Sequence, residues 1–304
     1  MSGRRALGAA LLAALTLTGC GVRLETPPPE VPTADAVEQA RQDAALVAAQ
    51  LYDAAGAAAA AADVELGAVL TTVQAASGEH HDALGGVWEP WPGAGPEATA
   101  YPEDPTTPAP APAATPQEVL DLLEQGAADA RADALDHDGE LGQLLAAVAI
   151  SRTWLAVDLA RALSVEAERL PAAPLPAPAP GTVDARTSRA VDAARYAFEV
   201  VAARSSGPQR QAAIERAEQL ALVAGAVAPE EDEREVAYDV SDAVGAAAPE
   251  RALAGAAELD VLGAYVALLG TPLEDRETVL DAATYAAGQA RSWDTALPAL
   301  PGLS

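Results

Sequence analysis

Along most of this chain apolar residues return every three or four positions, the spacing that fills one side of an α-helix. Val37, Ala40, Ala44, Val47, Leu51 and Ala54 form the first such stripe, with Thr33 as its expected N-cap. Asp63 opens a second, carrying Leu66, Val69, Leu70 and Val73 and closing near Ser77-Gly78 or a turn later. Thr115-Pro116 starts a third, because proline at the first helical position gives up only an N–H that has no partner there anyway. Its stripe is Val119, Leu122, Leu123 and Ala127. The fourth follows Asp138-Gly139 with Leu141, Leu144, Leu145, Val148, Leu155 and Leu159. Ile150, Trp154 and Val157 widen it, which predicts the most buried helix of this half. Further on, segments at 184–204, 208–228, 230–248, 250–269 and 273–294 are separated by Ser206-Gly207-Pro208, Pro229, Pro249 and Gly270-Thr271-Pro272. Val191, Ala194, Phe198 and Val201 line one of these, and Val279, Ala283, Ala286, Ala290 and Trp293 another. No window alternates as a strand does. The expected class is all-α.

Two stretches break the pattern. Residues 86–115 form a Pro/Gly-rich loop too long for an ordinary bundle connection. Residues 170–183 hold prolines at 171, 174, 176, 178 and 180, and alternating Pro-Ala favours extended polyproline structure. The chain therefore divides into two helical bundles in tandem, 33–169 and 184–304, joined by the linker 170–183. Half of the residues are hydrophobic but only 4% are aromatic, so alanine fills most of the interior. Small side chains bury little area each and let helices approach closely, which predicts long, alanine-lined helices.

The amino-terminal end has a different grammar. Arg4 and Arg5 precede an uncharged apolar run from Ala6 to Leu17, shorter than the ~20 residues a membrane span needs. Basic start, apolar middle and small-residue exit describe a secretory signal peptide over residues 1–19. Leu17-Thr18-Gly19-Cys20 resembles the lipobox of bacterial lipoproteins at all four positions. That resemblance implies a diacylglyceryl group on the Cys20 sulfur, cleavage just before it, and a chain facing outside the cytoplasm on the cell membrane. Two acyl chains matter, since each buried methylene contributes about 0.8 kcal/mol and one chain alone holds only marginally. Residues 20–32, with Pro27-Pro28-Pro29, then read as a stiff tether.

Charge narrows the partners. The formal net charge is −27, and loss of Arg4 and Arg5 with the leader takes it to −29; every basic residue is arginine. Such a chain is repelled by nucleic acid and by anionic headgroups. Cys20 is the sole cysteine, so no internal disulfide forms and stability must come from core burial.

Ala190-Val191-Asp192-Ala193-Ala194-Arg195-Tyr196-Ala197-Phe198-Glu199-Val200-Val201-Ala202-Ala203-Arg204 is similar to the first helix of an actinobacterial ferritin-like domain family of unknown function. Ala286 to Trp293, followed by Leu297-Pro298-Ala299-Leu300-Pro301-Gly302-Leu303, is similar to that family's closing helix and Pro-Gly-Leu end. Asp138 to Leu145 resembles helices that precede the domain in the same lipoproteins. The resemblance implies a ferritin-like four-helix bundle for the second half and assigns no activity.

Ferritin-like metal sites use Glu-x-x-His pairs, which put carboxylate and imidazole on one inward face. The chain has none, and its histidines are His80, His81 and His137. In the second half the expected acid-and-His pair falls on Val191-Asp192. Glu79-His80-His81-Asp82 is the one cluster of metal-ligand types, with Fe or Zn the metals its chemistry would take. A polar helix end is the plainer account of it, so no cofactor is expected. Trp88, Trp91 and Tyr101 lie in the long loop, where they could contact an envelope protein or a cell-wall glycan, or fold back over a bundle seam. Glu230 to Glu233, continued by Glu235, Asp239 and Asp242, would form an acidic stripe on a helix after Pro229. No nucleophile–base pair is legible, so the expectation is a non-enzymatic, lipid-anchored envelope protein that binds or scaffolds. The alternative is a ferritin-like metal protein or oxidase using the Glu79-to-Asp82 cluster.

Overall fold

The computed structural model describes residues 34–87, 114–179, 181, 183–240 and 246–303. Among these it is all-α, with eight helices and no strand beyond an isolated bridge between Val183 and Val227. The first four helices are α1 (Ala36–Ala61), α2 (Val64–Ala83), α3 (Pro116–Asp136) and α4 (Gly139–Leu163). The second four are α5 (Ala185–Arg204), α6 (Gly207–Ala224), α7 (Pro249–Leu269) and α8 (Arg276–Ser292). These form two bundles in tandem, each made of two helical hairpins with a long connection between them.

Side-chain caps fix where the helices begin. Asp35 accepts the Glu38 amide at 2.8 Å, whereas Thr33 lies outside the described residues. Asp63 accepts the amides of Glu65 and Leu66, so α1 and α2 turn over only two residues. Thr115 and Glu118 make a reciprocal capping box, which satisfies two of the N–H groups that a helix start leaves open. At the other end of this half, α4 stops where Ser164 turns into the left-handed region.

Alanine lines the helix contacts as expected, with Ala45, Ala48, Ala146, Ala147, Ala254, Ala283, Ala286 and Ala287 fully buried. One core lies wholly inside the first bundle, around Leu51, Leu70, Leu120, Leu123 and Leu159. Each such leucine contributes about 1.5–3 kcal/mol by leaving water. A second core runs from Leu145, Val148 and Ile150 of α4 into Phe198, Leu262, Leu269 and Leu280 of the second bundle. Residues 34–304 thus form one compact body, and 170–183 joins bundles that share an interior. The described residues of that linker take no helix, and they are tied down by Ala173 N–H to the Asp281 carbonyl (3.3 Å) and Gly181 N–H to the Ala226 carbonyl (2.6 Å). Helices α1, α4 and α7 are long and apolar enough to cross a membrane by length and composition. Within the body, each turns a large part of its apolar surface to a neighbouring helix.

One expected element differs. The described residues of the 230–248 segment do not form an α-helix: a 3₁₀ turn at Pro229–Glu231 gives way to irregular backbone through 240. Four consecutive acids repel one another in any compact conformation, and the stretch finds better partners on α5. The Tyr238 hydroxyl donates to Asp192 Oδ2 at 3.0 Å and accepts the Glu235 amide at 2.9 Å, with the Tyr196 ring beside it. Glu231, Glu235 and Asp239 therefore share no helical face, and Asp242 lies outside the described residues.

Candidate functional site

Charged side chains inside an alanine-lined bundle must be held by something, because an unpaired buried charge costs several kcal/mol. The second bundle solves this with an ion pair. Arg216 on α6 grips Glu258 on α7 through two parallel bonds, Nε to Oε1 at 2.7 Å and Nη2 to Oε2 at 2.8 Å. Both residues are buried, Glu258 completely. Burial lifts the Glu258 carboxyl above its ordinary pKa, with the guanidinium pulling against that rise. The Tyr285 ring lies 5.3 Å below the guanidinium carbon, and buried Tyr265 has its phenol pushed up to about 12 by desolvation. A guanidinium is therefore the counter-ion of the buried carboxylate in this bundle.

The first bundle holds a buried cation whose hydrogen bonds go to backbone carbonyls rather than to a carboxylate. Arg152 on α4 is 1% exposed, and its two Nη atoms donate to the carbonyls of Gly126 and Ala44, each at 3.0 Å. Burial pushes its pKa down to about 10. Beside it, a groove between α1 and α3 presents Asp43, Asp129 and Asp133. His80 lies within range of the same charge. Its ring is fully buried, and Nε2 donates to the Ala299 carbonyl at 2.8 Å. Because a carbonyl can only accept, Nε2 carries the proton and Nδ1 is left with an unpartnered lone pair. Burial first, and then Arg152, hold the imidazole pKa down to about 4. The ring is neutral at pH 7.

The four residues of the candidate metal-ligand cluster do not converge. His80 points into the core, Glu79 and Asp82 are exposed, and half-buried His81 reaches only Asp82, with Nδ1 to Oδ1 at 3.4 Å. Successive helical residues point about 100° apart, which explains the scatter. Among the described residues no group of three or more His, Cys, Asp or Glu side chains could hold a metal ion. His137 ends α3, its Nδ1 2.9 Å from the Asp133 carbonyl. Cys20, Trp88, Trp91 and Tyr101 all lie outside the described residues.

Asp192, where the resemblance places an acid, accepts from Arg195 Nε at 2.6 Å and from Tyr238. Arg195 also binds Glu199, and Arg234 pairs with Asp232, so the outer side of α5 is a mesh of ion pairs. Sequence reasoning missed the buried charges Arg152, Arg216 and Glu258. Arg152 left a trace, sitting inside the broad apolar surface of α4, where a solvated arginine has no place. Arg216 and Glu258 left none, because each also fits an exposed position.

Paired internal charges, capped helix ends and open grooves describe a tandem helical-bundle protein, and among the described residues no group of three or more His, Cys, Asp or Glu converges on a metal-ligating geometry. Residues 185–304 match the family model described as a domain of unknown function (DUF4439). No curated protein and no solved structure matches the chain.

Proposed function

We propose that this chain is a lipid-anchored protein of the outer face of the cell membrane whose helical body binds or scaffolds other envelope components without catalysing a reaction. The observation that carries the placement is Leu17-Thr18-Gly19-Cys20 at the end of a short apolar leader. The non-catalytic reading draws on the interior. Its buried charges Arg216, Glu258 and Arg152 are bound to each other or to backbone carbonyls. In this reading the acidic, lysine-free surface keeps the body away from anionic headgroups while the tether 20–32 holds it close to them. The partner is an envelope protein or a cell-wall component.

Mass spectrometry of the amino-terminal peptide from protein made in its native host tests the placement. The expected species begins at Cys20 and carries a diacylglyceryl thioether, and Cys20→Ser chain leaves the membrane fraction. A free thiol at Cys20, with the leader cut elsewhere, would end this reading. Capture from detergent-solubilised envelope, with and without residues 86–115, tests whether Trp88, Trp91 and Tyr101 recruit the partner.

A further inference from the structure

The bundles meet through a notch, ion pairs and helix-end contacts on α8. On α8, Gly288 leaves a notch that the half-buried Trp154 indole of α4 fills; a Cβ at that glycine would lie 2.6 Å from the ring. Arg291 then stacks 5.2 Å over the same indole and binds Asp158. At the far end of α8, Arg276 donates to the carbonyls of Ala134 (2.9 Å) and His137 at the end of α3, which have no further helical turn to bond to. Arg131 of α3 reaches Asp281 of α8 at 2.6 Å. The C-terminal tail closes the seam, with the Ala299 carbonyl on His80 and Gly302 turned at φ +90° against Val266 of α7.

We infer that α8 together with the C-terminal tail is a docking face for a four-helix bundle, occupied here by α1–α4, and that this docking holds without the covalent link. The partner it fits is defined chemically: an alanine-lined bundle offering one indole, the open carbonyls of a helix end and a neutral imidazole. The apolar part of the seam belongs to a core shared by both halves, with Leu145, Val148 and Ile150 of α4 in the same cluster as Leu269 and Leu280. Geometry supports this over loose tethering, because charge, notch and helix-end contacts all lie on one side of α8. The inference is independent of what happens to Cys20.

The test uses the whole mature chain. A protease site is inserted after exposed Ala177, the folded protein is cut, and the pieces are followed by size exclusion with light scattering. The expected result is co-elution at the intact mass, and separation of the two pieces would overturn the inference. Two variants from opposite sides of the notch locate the site. Trp154→Ala and Gly288→Leu in the cut protein are each expected to weaken association at least tenfold, with helicity retained. Unchanged association in Trp154→Ala, which leaves α8 intact should Gly288→Leu fail to fold, would remove the notch from the docking face and overturn the assignment.

Discussion

His80 gives the sharpest test of the buried polar interior. Its imidazole is held near pKa 4 in the folded protein against an ordinary value of 6.5, because it is buried and faces Arg152. Unfolding exposes the ring, so between those two values the unfolded chain binds the extra proton and the folded one refuses it. Stability from this group is fully present above pH 6.5 and is lost as the pH falls toward 4. The difference of 6.5 to about 4, at 1.36 kcal/mol per unit, amounts to about 3 kcal/mol. A typical domain has about 5–15 kcal/mol in all, so the loss is large. Urea denaturation of the soluble chain at pH 7, 6, 5 and 4 measures it, with His80→Gln as reference. Glutamine keeps an N–H for Ala299 but cannot titrate, and the many carboxylates contribute equally to both proteins. Wild type is expected to lose about 3 kcal/mol more than the variant between pH 7 and pH 4. Parallel stability curves would refute the reasoning, because the ring would then titrate as if exposed.

The Arg216–Glu258 pair makes a second prediction. Glu258→Ala leaves a guanidinium buried alone and is expected to cost about 3–5 kcal/mol, whereas Arg216→Met with Glu258→Leu is expected near neutral or stabilising, both by urea titration. Leu120→Ala, deep in the core confined to the first bundle, is expected to cost about 2–5 kcal/mol with the C-terminal tail still docked on α7. Tyr238→Phe loses the bonds to Asp192 and Glu235 and is expected to cost about 1 kcal/mol each, seen as faster proteolysis within residues 232–240. Metal analysis after incubation with Fe(II), Mn(II) or Zn(II) is expected to find no stoichiometric ion. A bound ion lost on changing His80 and His81 would revive the metal-protein alternative.

Helix positions were readable where local chemistry sets them. Asp63, Thr115-Pro116 and Pro249 start helices because a cap or an N1 proline acts within one turn, and so the sequence carries the whole cause. Residues 230–240 were misread because the cause is distant: Pro229 and the acids suit a helix start, but Tyr238 is claimed by Asp192 on α5. Trp154 likewise looked like an interior residue of its own bundle. Its notch is a glycine on α8, and no periodicity in α4 can announce a glycine that far along the chain. Buried His80 was hidden for the same reason, since what holds it is a carbonyl of the C-terminal tail. Glu79-to-Asp82 was legible as a polar helix end, because helical geometry alone spreads four consecutive side chains around the axis.

The preponderance of alanine inside this body has a mechanical consequence. An alanine side chain has no rotamer to lose on burial, whereas a leucine gives up about 0.5–1 kcal/mol of freedom. Where Ala45, Ala48, Ala146, Ala147, Ala283, Ala286 and Ala287 meet their neighbours there are few torsions to readjust when a load is applied. Helices α1–α8 packed in this way resist small readjustments at their contacts.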